Sequence, residues 1–151
     1  MIPRYGKAPK MSKKYGFRPG AYVVLYRDGR FLFTHQKTED IDELQLPGGG
    51  IDLGENPLPA LHREVFEETG WSISKPVRLG AFRRFAYMPD YNLWAEKLCH
   101  IYIARPISHI GDPTELGHSA IWLKSSAALH EISDKVFHNR QILNRLICRI
   151  R

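Results

Sequence analysis

Glu64, Glu67 and Glu68 crowd three carboxylates into the stretch REVFEETGW, residues 63–71. Like charges at helical spacing repel one another and destabilise an isolated helix. The surrounding pattern still reads as a helix: at about 100° per residue, Leu58, Leu61, Val65 and Thr69 gather on one face. Leu61 and Val65 can anchor that face in a core, while the glutamates span roughly 100° of another face and converge above it. Convergent carboxylates repel until a cation neutralises them. Hard divalent cations want several oxygen ligands, and Mg²⁺ characteristically combines carboxylates with water and phosphate oxygens. The plain alternative is a solvated acidic face.

The helix sits inside a strand-rich pattern. AYVVLYR (21–27) and RFLFTHQ (30–36) are rich in β-branched and aromatic residues, and Asp28-Gly29 between them is a strong hairpin signal. LQLPGGG (44–50) reads as a short strand running into a glycine loop. Asn56 is a good N-cap, Pro57 suits the first helical position, and Gly70 suits the C-cap. Residues 77–89 and 94–105 are long strand candidates joined by the turn-like DYN. In the second, Ala95, Cys99, Ile101 and Ile103 share a face on which Lys97 is the exception. SAIWLK (119–124) is a further strand, and 134–150 has helical periodicity. The expected fold is α+β, a mixed sheet with helices packed on it.

At 151 residues, 43% apolar and 25% charged, the chain has the size and composition of one globular domain, which excludes a disordered or fibrous class. No apolar run approaches the roughly 18 residues of a membrane span, and no secretory leader is recognisable, so no membrane partner and a cytoplasmic location are expected. Cys99 and Cys148 lie far apart, form no CxxC pair and are expected to stay reduced. The net charge of +6 is concentrated in Arg4, Lys7, Lys10, Lys13, Lys14 and Arg18, all preceding the first acidic residue, Asp28. Residues 1–19 therefore read as a basic, partly ordered arm, a solvated tail or a polyanion-binding one, before a single domain at 20–151.

Upstream of the glutamates lies LPGGGIDLGE. Gly49, Glu55, Arg63, Glu64, Glu67, Glu68 and Gly70 together fit GX5EX7REUXEEXGU without an insertion. In these residues the chain resembles the Nudix hydrolase family, whose signature box this is. Val65 takes one aliphatic position, and the bulky Trp71 departs at the other. The resemblance implies a mixed β-sheet sandwiched between helices (α/β/α), with the box as a loop–helix–loop metal site. It implies that Glu64, Glu67 and Glu68 ligate Mg²⁺, or Mn²⁺, that Glu55 assists, and that a glycine-loop carbonyl, Gly48, completes the sphere. Arg63 would hold a carboxylate in place through its rigid fork of donors. Candidates for the general base are Glu64 and Glu68 on the helix, and Glu115 in DPTELGH before the SAIWLK strand.

The implied activity is hydrolysis of a pyrophosphate bond in a nucleoside diphosphate-linked substrate: a nucleoside triphosphate, an ADP-ribose-type sugar nucleotide or a dinucleoside polyphosphate. The alternatives are removal of a 5′-pyrophosphate from RNA, which the basic arm favours, and a non-catalytic nucleotide-binding regulator, which a complete box disfavours. The expected partner is a small-molecule nucleotide, with RNA less favoured and a homodimer compatible with such a domain. Base stacking and phosphate contacts nominate Arg84, Tyr91 and Trp94 as substrate-binding residues, the two aromatics because they flank a turn. His35 and His100 are read as structural.

Overall fold

The computed structural model describes residues 2–131. The expected helical segment 134–150, with Cys148, lies outside them.

The chain runs β1 (Gly16–Arg27), β2 (Arg30–Lys37), β3 (Asp42–Gln45), β4 (Gly48–Gly50), α1 (Pro57–Thr69), β5 (Trp71–Ile73), β6 (Val77–Met88), β7 (Leu93–Ala104), β8 (Pro106–His109), β9 (His118–Lys124) and α2 (Ser125–Glu131). The hairpin forms at Asp28-Gly29. Both residues have positive φ, the backbone that a two-residue turn of this hand requires, and Arg27 pairs with Arg30. Seven strands make one sheet along the path β3-β2-β1-β7-β6, with β4 on β1 and β9 on β2. β1 and β7 run parallel from Gly16↔Ala95 to Leu25↔Ala104, and every other pair is antiparallel, so the sheet is mixed.

β1 is central, and its run AYVVL is apolar because both of its faces are covered. Val23 and Leu25 pack with Leu61 and Val65 of α1, together with Leu32 and Tyr102. Val24 points the other way, into Phe31, Phe33, Leu46 and Ala128 of α2. The two helices therefore lie on opposite faces, the expected α/β/α arrangement.

β1 begins at Gly16, so residues 16–19 already belong to the sheet. Residues before it lie along β6: Arg83 N–H donates to the Pro3 carbonyl at 2.8 Å, and Tyr5 N–H to the Arg83 carbonyl at 3.0 Å. The Tyr5 ring meets Phe82 edge-on. The DYN connection is a single 3-10 turn, Pro89–Tyr91, closed by Asn92 in the left-handed region.

Trp71, the unusual residue of the box, begins a short antiparallel ribbon, β5 with β8. Its indole packs against the α1 core cluster and meets Trp122 edge-on. The Arg27 guanidinium lies 5.0 Å from one indole and 5.3 Å from the other. A bulky ring here closes the end of the core beneath α1. Among the described residues, no helix is long and apolar enough to cross a membrane.

Leu61 is completely buried at the contact between α1 and the sheet. Leu61→Ala should lower unfolding stability by about 2–5 kcal/mol, read as a reduced urea midpoint at constant slope.

Candidate active site

Asn56 occupies the N-cap in extended conformation but makes no side-chain cap hydrogen bond. A cap accepts from the second or third helical N–H, and Pro59 removes the third. Main-chain continuity sets the helix start instead, with Ala60 N–H donating to the Asn56 carbonyl. The helix then presents its glutamates to β4 and the loop following it.

Two glycines of that segment are required by close approach. Gly48 has φ 138°, and a Cβ there would run into the Ala21 backbone. At Gly49 a Cβ would lie 2.6 Å from the Glu64 carboxylate. Glycine thus lets Glu64 lie against the main chain, and the Gly48 N–H donates to Glu68 Oε2 at 3.0 Å.

Arg63 is the hub of the acidic side. Its Nε and Nη2 each donate at 3.0 Å to the two oxygens of Glu55, and its Nη1 reaches Glu64 at 3.0 Å and Glu67 at 3.1 Å. Those bonds hold Glu55 below the usual carboxylate range, chiefly through Arg63 itself. Glu68 is outside this arrangement. Burial pushes its carboxyl up to about 9, and the neighbouring Glu64, Glu115 and Glu67 push the same way against the Gly48 hydrogen bond. Burial also raises Glu64.

Glu115 is brought here by the end of the helix. The Glu67 carbonyl, in the last turn of α1, accepts from the N–H groups of Thr114 and Glu115 at 2.8 and 2.9 Å. Gly70, the left-handed C-cap, accepts through its carbonyl from Ile110 and Gly111, and a Cβ on it would collide with the Gly111 carbonyl. The loop after β8 therefore docks on carbonyls that a helix end leaves free. Carboxylate oxygens of Glu64, Glu67 and Glu115 lie within 4.8 Å of one another, and so do ligand atoms of Glu68, Glu115 and His118.

His118 is absent from the candidates read from the sequence. It opens β9 and pairs with Gln36 of β2. Its ring is buried, with Nδ1 hydrogen-bonded to the Thr34 hydroxyl at 2.7 Å and 3.8 Å from Glu68, and Nε2 3.9 Å from Glu115. Burial lowers its pKa.

A cleft of about 180 Å³ opens beside Glu64, with Arg18, Tyr22, Asp52, Tyr91 and Lys97 among its lining residues. Of the expected substrate-binding residues, Tyr91 lines this cleft, and Arg84 is the strand neighbour of Lys97. Trp94 is not among the lining residues. It is packed beneath the N-terminal segment, with the Lys10 and Lys13 ammonium groups 5.1 and 5.3 Å from its ring and Tyr15 edge-on to it.

A family model described as the NUDIX domain matches residues 16–146. The chain is 41% identical over 71 residues to an RNA pyrophosphohydrolase of Halorhodospira halophila, covering 46% of this chain and 38% of that protein. It is 28% identical over 115 residues to an ADP-ribose pyrophosphatase of Bacillus subtilis, covering 74% and 58%. The first of these matches spans well under half of the relative's length, and the second a little over half. Among solved structures, a NUDIX hydrolase from Nitrosomonas europaea superposes with TM-score 0.70 at 18% identity, over 87% of this chain and 90% of that one, a likeness of fold.

The raised pKa of Glu68 sets a pH dependence for the metal-free protein. Folded Glu68 keeps a proton that its unfolded counterpart releases above an ordinary value of 4.5. Its contribution to stability is therefore complete below that value and is lost as pH rises toward about 9. In a chelator, Glu68→Gln, which mimics the protonated form, should show a smaller fall in Tm across this window than the parent chain. Parallel Tm–pH curves would contradict the assignment.

Proposed function

The chain belongs to the NUDIX family, and from that premise we propose that it is a divalent-cation-dependent pyrophosphohydrolase of nucleoside diphosphate-linked substrates. The observation that carries this reading is the meeting of Glu64, Glu67 and Glu115 around one point, with the buried Glu68 beside them. A buried carboxylate beside several others is costly unless a cation joins them. An all-oxygen set of this kind suits Mg²⁺, and Mn²⁺ accepts the same donors.

Glu64, Glu67 and Glu68 are the proposed ligands, with the Gly48 carbonyl as a main-chain candidate. Glu55, held by both ends of its carboxylate on Arg63, serves by fixing the loop against the helix. When bound, the cation supplies charge neutralisation at the anhydride and acidifies water in the site. Arg63 keeps Glu64 and Glu67 in position. Glu115 is the proposed proton acceptor: it is half-exposed, belongs to both groups of converging side chains, and has His118 beside it.

Removal of a 5′-pyrophosphate from RNA is the second reading. It is favoured by similarity to proteins named RNA pyrophosphohydrolase and by the basic residues of the N-terminal segment.

A panel of nucleoside triphosphates, ADP-ribose, dinucleoside polyphosphates and 5′-triphosphorylated RNA, assayed with Mg²⁺ and Mn²⁺, tests the proposal. Turnover of at least one is expected, and Glu67→Gln and Glu68→Gln should each abolish it while preserving the fold by circular dichroism. Activity surviving both substitutions would remove the metal-site assignment, and no turnover of any compound would favour a nucleotide-binding regulator. For RNA, replacing Lys7, Lys10, Lys13 and Lys14 by Gln should lower the salt dependence of binding by roughly 0.7 in log–log slope for each phosphate no longer neutralised. An unchanged slope would count against the RNA reading.

A further inference from the structure

The sheet carries a row of positive charge across three strands. The register sets Arg18 of β1 opposite Lys97 of β7, and Lys97 opposite Arg84 of β6. Residues directly opposite on neighbouring strands project from the same face, and like charges placed so are destabilising. The adjacent Arg83 points to the other face and is paired with Glu96 at 3.4 Å. Among the described residues, no carboxylate lies within ion-pair distance of Arg18, Lys97 or Arg84. Burial holds the Lys97 ammonium below the usual lysine range, and Arg84 and Arg18 press in the same direction.

Arg18 and Lys97 line the cleft that Glu64 and Asp52 line as well. The Arg18 guanidinium lies 4.7 Å from the centre of the Tyr91 ring, which orients its fork. One cleft thus joins a carboxylate end to a cationic end. Three cations without counter-charge cost stability in the free protein and are offset when an anion arrives. A ribose or a base is neutral and cannot do this, whereas a phosphate offers several anionic oxygens to guanidinium forks and an ammonium.

We infer that Arg18, Lys97 and Arg84 form a subsite for a substrate phosphate lying beyond the anhydride held at the carboxylate end. The inference rests on the pyrophosphohydrolase reading for its substrate and makes that reading narrower. Linear chains of three or more phosphates are selected over substrates with only two, such as ADP-ribose.

The test has a binding arm and a kinetic arm. Inorganic tripolyphosphate is titrated calorimetrically into the full chain in chelator, where the carboxylate end gives no attraction. It should bind more tightly than pyrophosphate, and Lys97→Met and Arg84→Gln should each weaken it about tenfold or more, the scale of one charge-assisted hydrogen bond. Equal affinity in the parent chain and both variants overturns the subsite. With Mg²⁺, the same variants should raise KM for a nucleoside 5′-triphosphate about tenfold and lower kcat/KM for it by a clearly larger factor than kcat/KM for ADP-ribose. Equal losses on both substrates also overturn it. A parent chain that turns over no compound of the full panel, dinucleoside polyphosphates and 5′-triphosphorylated RNA included, refutes the pyrophosphohydrolase reading, and the tripolyphosphate titration then still decides the subsite.

Discussion

The guanidinium of Arg63 makes the interactions on which the architecture of the candidate site depends. It bonds Glu55, Glu64 and Glu67 at 3.0–3.1 Å, and Glu55 comes from the loop rather than the helix. A bidentate pair fixes direction as well as distance. The segment after β4 is therefore fastened to α1 at its first two turns, and three carboxylates that would otherwise repel share one charge. Glu68 gains nothing from this arrangement. Its carboxylate is buried beside the others, where its contacts are the Gly48 N–H and the buried His118.

The anchoring of α1 makes that geometry rigid. Leu61 and Val65 sink into the face formed by Val23, Leu25 and Leu32, while Gly48–Gly50 pairs with Gly20–Tyr22 of the same central strand. Helix and glycine loop are thus referenced to β1 from two sides. The glycines carry the tolerance: at Gly48 the limiting neighbour is main chain, and at Gly49 it is the Glu64 carboxylate itself. Site and core meet there with no side chain between them.

Much of this was legible along the chain, because the features concerned are local. Asp28-Gly29 specifies its own turn, and the Leu58–Thr69 periodicity specifies its own helix within one residue at the start. The box spacing located the carboxylates, and a loose loop position nominated Glu115. What escaped depends on long-range register. His118 stands at the start of a strand, and only the pairing of β9 with β2 brings it beside Thr34 and Glu68. β5 and β8 are too short to show alternation, and they exist because each is the other's partner. Trp94 sat beside a turn as expected, yet the N-terminal lysines cover it. Lys97 did leave a trace, as a charge on an otherwise apolar alternating face, but its neighbours Arg18 and Arg84 are distant in sequence and join it only through strand order.

The docking of Thr114 and Glu115 on the Glu67 carbonyl uses main-chain atoms alone on both sides. The Leu116 side chain, next to Glu115, takes no part in that docking and projects fully into solvent at 93% exposure. Such a segment behaves like an interchangeable cartridge. Its outward residues can drift through mutation while the Glu115 carboxylate stays aimed by the helix end. Freedom of sequence and placement of a carboxylate are thereby assigned to different atoms of the same loop.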